Sequence, residues 1–420
     1  MMSRHMISLS HIIIILAALS FHSCSKDNSE EPKKEEKEVI LPQVVLPHVF
    51  IRTPNSAEIV SKTDWMEGAS ITITLPDGTK DYESNNLQIR GRGNTTWDYP
   101  KKPYALKLES KAEILGMPKH KRWVLLANWM DRTLMRNDVA FQIARQTELA
   151  WTPKGQFVEL TLNGKHLGNY YLCEQIKIDK NRVNIREMSE SDTEGDNLTG
   201  GYLMELDVYY DEVNKFHSSI KNLPYMFKDP DEETLQPEQY EYMKDFINEF
   251  EAKLYAPDWL EKHDYVNYIN LESFVDYWFV FELSNNGEPT WPKSCYMYKD
   301  KSGKLTAGPV WDFDWGAFRP GNRFLNKEAL YYDRLFKDPA FVSLVKTRWA
   351  KFRPKFDTIQ AYIFSTAKML SVSAQTNIAL WPINTKENGD ETLSFEQAID
   401  RMAGAYLGKL AWMDKQINNM

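Results

Sequence analysis

The segment Gly308-Pro309-Val310-Trp311-Asp312-Phe313-Asp314-Trp315-Gly316 sets two carboxylates two residues apart among large aromatics. On an extended strand, residues i and i+2 share a face about 7 Å apart, from a rise of roughly 3.3 Å per residue. Asp312 and Asp314 then face one way, and Trp311, Phe313 and Trp315 the other. Such a pair of hard oxygen donors suits Mg²⁺ or Mn²⁺. Without a cation the two charges repel, and burial raises one pKa. The plain alternative is an exposed acidic strand face, against which three large aromatics weigh.

Four further segments carry candidate chemistry. In Ile89-Arg90-Gly91-Arg92-Gly93-Asn94-Thr95-Thr96-Trp97 the glycines allow close backbone approach, and Arg90 and Arg92 can meet phosphate bidentately; a tight turn with solvated arginines fits as well. Lys107, on the strand Pro103-Tyr104-Ala105-Leu106-Lys107-Leu108, follows that glycine loop as a phosphate-binding lysine would. Any strand with one lysine on its polar face matches equally. Glu174, among Tyr170, Leu172 and Ile176, needs a cationic partner if buried, with Lys107 or an arginine of the RGRG segment as candidates. The loop Asn285-Asn286-Gly287-Glu288-Pro289-Thr290-Trp291-Pro292-Lys293-Ser294 offers Glu288 as a base and Lys293 as a phosphate contact. An ordinary Asn/Gly/Pro connection is the alternative there.

These residues need a scaffold of strands and helices. Period-2 alternation predicts strands at 44–51, 71–75, 86–92 and 103–108, and again at 157–162 and 168–178 around the hairpin signal Asn163-Gly164. Further strands are expected at 202–208, 295–298 and 305–315. Helical spacing predicts a helix from Asp131 to Gln146, helical segments within 229–262, a helix at 271–284 after Asn270, and mostly helix from Glu328 onward. A strand-rich N-terminal half and a helix-rich C-terminal half read as α+β.

Composition narrows the function classes. The chain has 420 residues with net charge −8, against the basic excess of a nucleic-acid binder, so no nucleic-acid partner is expected. HExxH, CxxC pairs, GxSxG and a full Walker A motif are all absent. Five histidines lie beyond residue 23 without ligand spacing, which argues against zinc. Cys173 and Cys295 sit in apolar runs and read as buried free thiols.

The N-terminus reads as an address. Arg4, the apolar run Ile12 to Leu19, then Ser23-Cys24-Ser25 resemble a lipoprotein signal of Bacteroidetes-type bacteria. That resemblance makes 1–23 a signal peptide and Cys24 the lipidated residue, anchoring the chain to the outer membrane or cell surface. Removing Arg4 with the signal leaves a net charge of −8 − 1 = −9. Residues 24–40 are dominated by charge and read as a flexible tether, and 41–420 as one folded domain with a helical C-terminal extension.

Taken in order, IRGRGNTTW, KKPYALKL, RWVLLANWMDRTLMRNDVA, LGNYYLCEQIKI, GGYLMELD and GPVWDFDWGAF resemble the CotH kinase family over about residues 43 to 350. The resemblance implies an atypical, remote protein-kinase-like fold. It implies transfer of phosphate from ATP to Ser or Thr of a protein substrate, with Mg²⁺ or Mn²⁺. It makes Asp312 the metal-binding Asp of the WDxD motif and Asp314 the second acidic position, with Lys107 on phosphate and Glu174 its partner. Glu288 stands where the family pattern has a catalytic Asp, and Lys293-Ser294 where it has a later Asn. Two other classes stay open: a noncatalytic surface protein binding glycan or protein through Trp291, Trp311 and Trp315, and a pseudokinase-like scaffold that binds nucleotide without turnover.

Overall fold

Seven strands carry apolar residues at alternate positions, and each needs a partner for the row it buries. They are β1 (His48–Arg52), β2 (Met66–Thr74), β3 (Lys80–Gly91), β4 (Tyr104–Ile114), β5 (Met117–Leu126), β6 (Gly155–Leu162) and β7 (Lys165–Glu174). In the computed structural model, which describes residues 45–382 and 388–420, these strands close into a barrel in the order β1-β2-β3-β4-β5-β7-β6. All pairings are antiparallel except the closing one, where β1 runs parallel to β6 with Val49 opposite Leu160. The interior is filled by the inward rows, among them Ile71, Ile89, Leu106, Trp123, Val158 and Leu172. Each such side chain adds about 1.5–3 kcal/mol by leaving water. The β6–β7 turn is Asn163-Gly164, both residues at positive φ (51° and 77°), as a tight two-residue hairpin requires.

A second sheet is wholly antiparallel in its pairings. It contains β8 (Tyr202–Leu206), β9 (Lys215–His217), β10 (Pro224–Asp229), β11 (Cys295–Lys299) and β12 (Leu305–Ala307), in the order β12-β11-β8-β10-β9. The helices are α1 (Thr95–Asp98), α2 (Arg136–Arg145), α3 (Pro237–Leu254), α4 (Trp259–Lys262), α5 (Leu271–Leu283), α6 (Tyr332–Leu335), α7 (Pro339–Phe356), α8 (Ile359–Leu380) and α9 (Phe395–Asn418). α5 is buried almost all round. It starts at Asn270, whose side chain accepts from the Ser273 amide, and packs against α2, α7 and α9.

The architecture is mixed α+β, strand-rich before residue 230 and mainly helical after it. Cys173 and Cys295 are buried free thiols. No helix among the described residues is long and apolar enough to cross a membrane. Cys24, residues 1–23 and the tether of residues 24–40 lie outside the described residues.

Several expectations change. The strand expected over 305–315 stops at Ala307. Pro309 has no N–H for a ladder, and Asp312 sits at φ +68°, a left-handed conformation that costs a non-glycine residue. The helix expected from Asp131 begins at Arg136, because Leu134 is at φ +61°. Asp131 still tethers that start: its carboxylate accepts from the Thr133 amide (2.9 Å) and the Arg136 amide (2.8 Å). The strands β5, β9 and β10 were not anticipated.

Candidate functional site

Asp312 and Asp314 meet without a strand to carry them. Asp314 is buried and Asp312 half-buried, and each carboxyl feels the other's charge. Burial raises both above the usual carboxylate range; the neighbouring Asp312 charge pushes Asp314 further, whereas the Arg92 guanidinium pulls Asp312 back down. The backbone that presents them is held from three sides. Asn137, on α2, accepts from the Phe313 amide at 2.7 Å and is itself tied to Asn128 at 3.1 Å. Asn388 donates to the Asp314 carbonyl (2.7 Å) and accepts from the Gly316 amide (2.8 Å). Phe313 wedges between Phe141 and Phe281, with ring centroids 6.4 and 5.0 Å away. These contacts hold the Asp312 conformation that the bare chain would avoid.

Glu288 lies beside the pair. It opens a short turn, and the Asn286 side chain accepts from the Glu288 amide at 2.8 Å and donates to the Asp312 carbonyl at 3.4 Å. Its carboxyl is buried and one oxygen, Oε2, has no hydrogen-bond partner. Burial, then the charges of Asp312 and Asp314, pushes it well up, with Lys293 opposing. The loop is braced from beneath by Lys409 of α9, which donates to Glu282 at 2.8 Å, Asn285 at 3.0 Å and the Arg323 carbonyl at 2.5 Å. Ser294 points its hydroxyl at Asp312 (3.5 Å), and its amide donates to Asp207 at 3.0 Å. Burial lifts Asp207 to about 6.

Arg90, Arg92 and Lys107 come together on the outside of the barrel. Arg90 is opposite Ala105 and Val124 is opposite both Ala105 and Cys173, while Lys107 is opposite Arg122. Along this outer row Ala105, Val124 and Cys173 are buried, Val124 and Cys173 within the larger core, and the cations lie at its edge. Trp65 is packed between Arg90 and Arg122 (4.6 and 4.8 Å). Arg92 rests over the Trp311 ring at 5.4 Å, beside Asp312. Among the described residues, none of Arg92, Lys107, Arg122 or Lys177 has a carboxylate within ion-pair distance, although twenty-one such pairs occur elsewhere.

The expected Lys107–Glu174 pair is corrected. Glu174 is opposite Trp123 on the row that fills the barrel, whereas Lys107 is on the outer row. Glu174 is instead held by the Lys154 amide at 3.0 Å, with Arg182 nearby, and burial raises its pKa. Lys293 lies between the rings of Tyr209 (5.5 Å) and Trp315 (5.3 Å). Trp311 is only 5% exposed, so the ring-stacking surface expected of three tryptophans reduces to Trp291 (75% exposed) and Trp315 (39%).

Asn137, Asn286, Ser294 and Asp207 were missed as site residues. Asp207 ends the quoted GGYLMELD segment, so a carboxylate closing an apolar strand was the available signal. Asn286 and Ser294 lie within the loop quoted for Glu288, but their bonds to Asp312 reach across 26 and 18 residues, and Asn137 reaches Phe313 across 176, for which a single sequence gives no sign.

Among the described residues no group of three or more His, Cys, Asp or Glu side chains is arranged to hold a metal. Mg²⁺ typically takes one or two carboxylates and completes its shell with water and phosphate oxygens. The neighbouring carboxyls of Asp312 and Asp314, two in number, fit that arrangement.

No curated protein sequence matches the chain. The family model described as CotH kinase protein matches residues 89–404, a span that holds the cationic barrel face, the Glu288 loop and both aspartates. With well over half of its length inside that match, the chain belongs to the CotH kinase family.

Proposed function

We propose that the chain is an atypical kinase with a kinase-like arrangement of its two halves, transferring phosphate from ATP to Ser or Thr of a protein, with Mg²⁺ or Mn²⁺ at Asp312 and Asp314. One observation carries the reading: a face of cations without ion pairs reaches, at Arg92, the Asp312 and Asp314 carboxyls, whose charges oppose one another. A triphosphate accompanied by a divalent cation answers both imbalances at once.

When bound, the metal neutralises charge on the phosphates and on the two aspartates. The chain's own groups do the rest. Arg92, Lys107 and Arg122 orient phosphate oxygens. Asn286 fixes the backbone of Glu288, whose raised pKa suits it to take the proton of an incoming hydroxyl.

The test is incubation of the purified full chain with labelled ATP and Mn²⁺. Label on the chain or on an added protein, lost in Asp312→Asn, is expected; equal labelling by both would end the reading. A second reading, glycan binding without transfer, is favoured by the exposure of Trp291 and Trp315 beside the site. Glycan-array binding that survives Asp312→Asn and fails in Trp291→Ala would support it. The surface-anchoring proposal is tested separately: lipid label on the chain should disappear in Cys24→Ala.

A further inference from the structure

The cavity above Asp312 and Asp314 is small. It measures about 30 Å³ and is lined by Arg92, Thr96, Lys101, Trp129, Asp312 and Asp314, among others. That is room for about one water, whereas sites for small molecules usually run to roughly 300–1,000 Å³. Two of the lining residues, Arg92 and Thr96, belong to the 91–98 segment that leaves β3 and leads to β4.

That segment is fastened to the connection between β8 and β9 by solvent-exposed hydrogen bonds. Asn94 donates from Nδ2 to Asp211 Oδ2 at 3.2 Å, and the Thr95 hydroxyl is 2.9 Å from the Tyr209 hydroxyl. Tyr209 and Asp211 belong to the connection between β8 and β9. The Tyr209 ring in turn faces Lys293, whose ammonium also faces Trp315. A continuous run of contacts thus joins the glycine segment to the Glu288 loop and to the residue after Asp314. On its own side, the segment is held by Lys62, which donates to Asn94 Oδ1 at 2.9 Å. Gly93, at φ +82°, gives it a point about which to turn.

We propose that the Asn94–Asp211 and Thr95–Tyr209 hydrogen bonds form a latch that holds the 91–98 segment shut over Asp312 and Asp314, and that this latch opens to admit the phosphoryl donor. The second half of this statement rests on the nucleotide reading above; the first does not. Both bonds are solvent-exposed, so opening is cheap and reversible. Losing either one speeds opening by roughly two- to tenfold. As positioning residues, Asn94 and Tyr209 act through Arg92, which the shut segment keeps beside Asp312.

The experiment uses the full chain and two readouts. Amide hydrogen exchange across 91–98, measured without nucleotide, is expected to rise several-fold in Tyr209→Phe and in Asn94→Ala. Tyr209→Phe keeps the ring that Lys293 faces and removes only the hydroxyl. Stopped-flow mixing with a fluorescent ATP analogue and Mn²⁺ is expected to show faster association and faster release in both variants, with the equilibrium constant moved less than either rate. Asp211→Asn retains an acceptor oxygen and should behave as the parent. Unchanged exchange in both variants overturns the latch, whatever the nucleotide does. Raised exchange with no nucleotide bound by any form leaves the latch standing and refutes the nucleotide reading. Raised exchange with unchanged nucleotide rates refutes the role of the latch in admission.

Discussion

Lys409 offers the sharpest test of how the helical half supports the site. Its side chain is fully buried and donates three hydrogen bonds, to Glu282, Asn285 and the Arg323 carbonyl. Lys409→Met keeps most of the volume and removes all three. Taking one partner from a buried ion pair costs about 3–5 kcal/mol. Glu282 retains the amides of Leu325 (3.1 Å) and Asn326 (2.6 Å), which places the cost near the lower end. The orphaned Asn285 oxygen and Arg323 carbonyl add about 1 kcal/mol or more each if water does not reach them. A loss of roughly 3–5 kcal/mol is therefore expected in urea unfolding. In a double-mutant cycle, Glu282→Gln combined with Lys409→Met should be less damaging than the sum of the singles by at least about 2 kcal/mol. Because Asn285 leads directly into the Asn286–Glu288 turn, transfer activity should fall more than the loss of folded protein accounts for. A cost below about 1 kcal/mol with no coupling would refute the claim that this pair braces the loop.

Other outcomes follow from single groups. Glu288→Gln keeps the shape and removes the base, so transfer should fall by about 10²–10⁴-fold with nucleotide affinity unchanged; an unaffected rate in a single-turnover assay denies Glu288 that role. His120 accepts from the Arg122 amide at 2.9 Å, and burial, helped by Arg182, lowers its pKa to about 4. The unfolded chain then binds the extra proton first, so this contribution is complete above pH ~6.5 and is lost as pH falls toward 4. Solvent screening reduces it to about 1–2 kcal/mol, and His120→Gln should flatten the stability profile across that window. Gly200→Ala would drive its Cβ into the backbone of Asp300, which no rotamer relieves; a loss of several kcal/mol, or no soluble protein, is expected in thermal melts.

Local chemistry was legible wherever a few neighbouring residues decide the outcome. The cap Asn270 with the apolar run behind it, the Asn163-Gly164 turn and the Asp312/Asp314 pair are of that kind. What could not be read depends on distant partners. β5 begins Met117-Pro118-Lys119-His120-Lys121, with no apolar alternation, and is made a strand by its neighbours β4 and β7. The pairing of β1 with β6 spans more than a hundred residues, and without it the barrel could not have been inferred. The WDFD segment shows the limit well: strand spacing predicted that the carboxylates meet, and they do, through a left-handed Asp312 held by Asn137 and Asn388. The family resemblance assigned Lys107 and Glu174 to one another, when the alternation of β4 and β7 sends them to opposite sides of the barrel wall.

The barrel's closing strand also has a mechanical meaning. β1 is the first strand of the described chain and is hydrogen-bonded along both edges, antiparallel to β2 and parallel to β6. A pull on the polypeptide ahead of His48 acts along the strand axis, so both ladders resist in shear, several bonds at a time. A load arriving from that end therefore meets a grip before it reaches the cavity lined by Asp312 and Asp314, and the rupture force in single-molecule stretching should report the integrity of the β1–β6 seam.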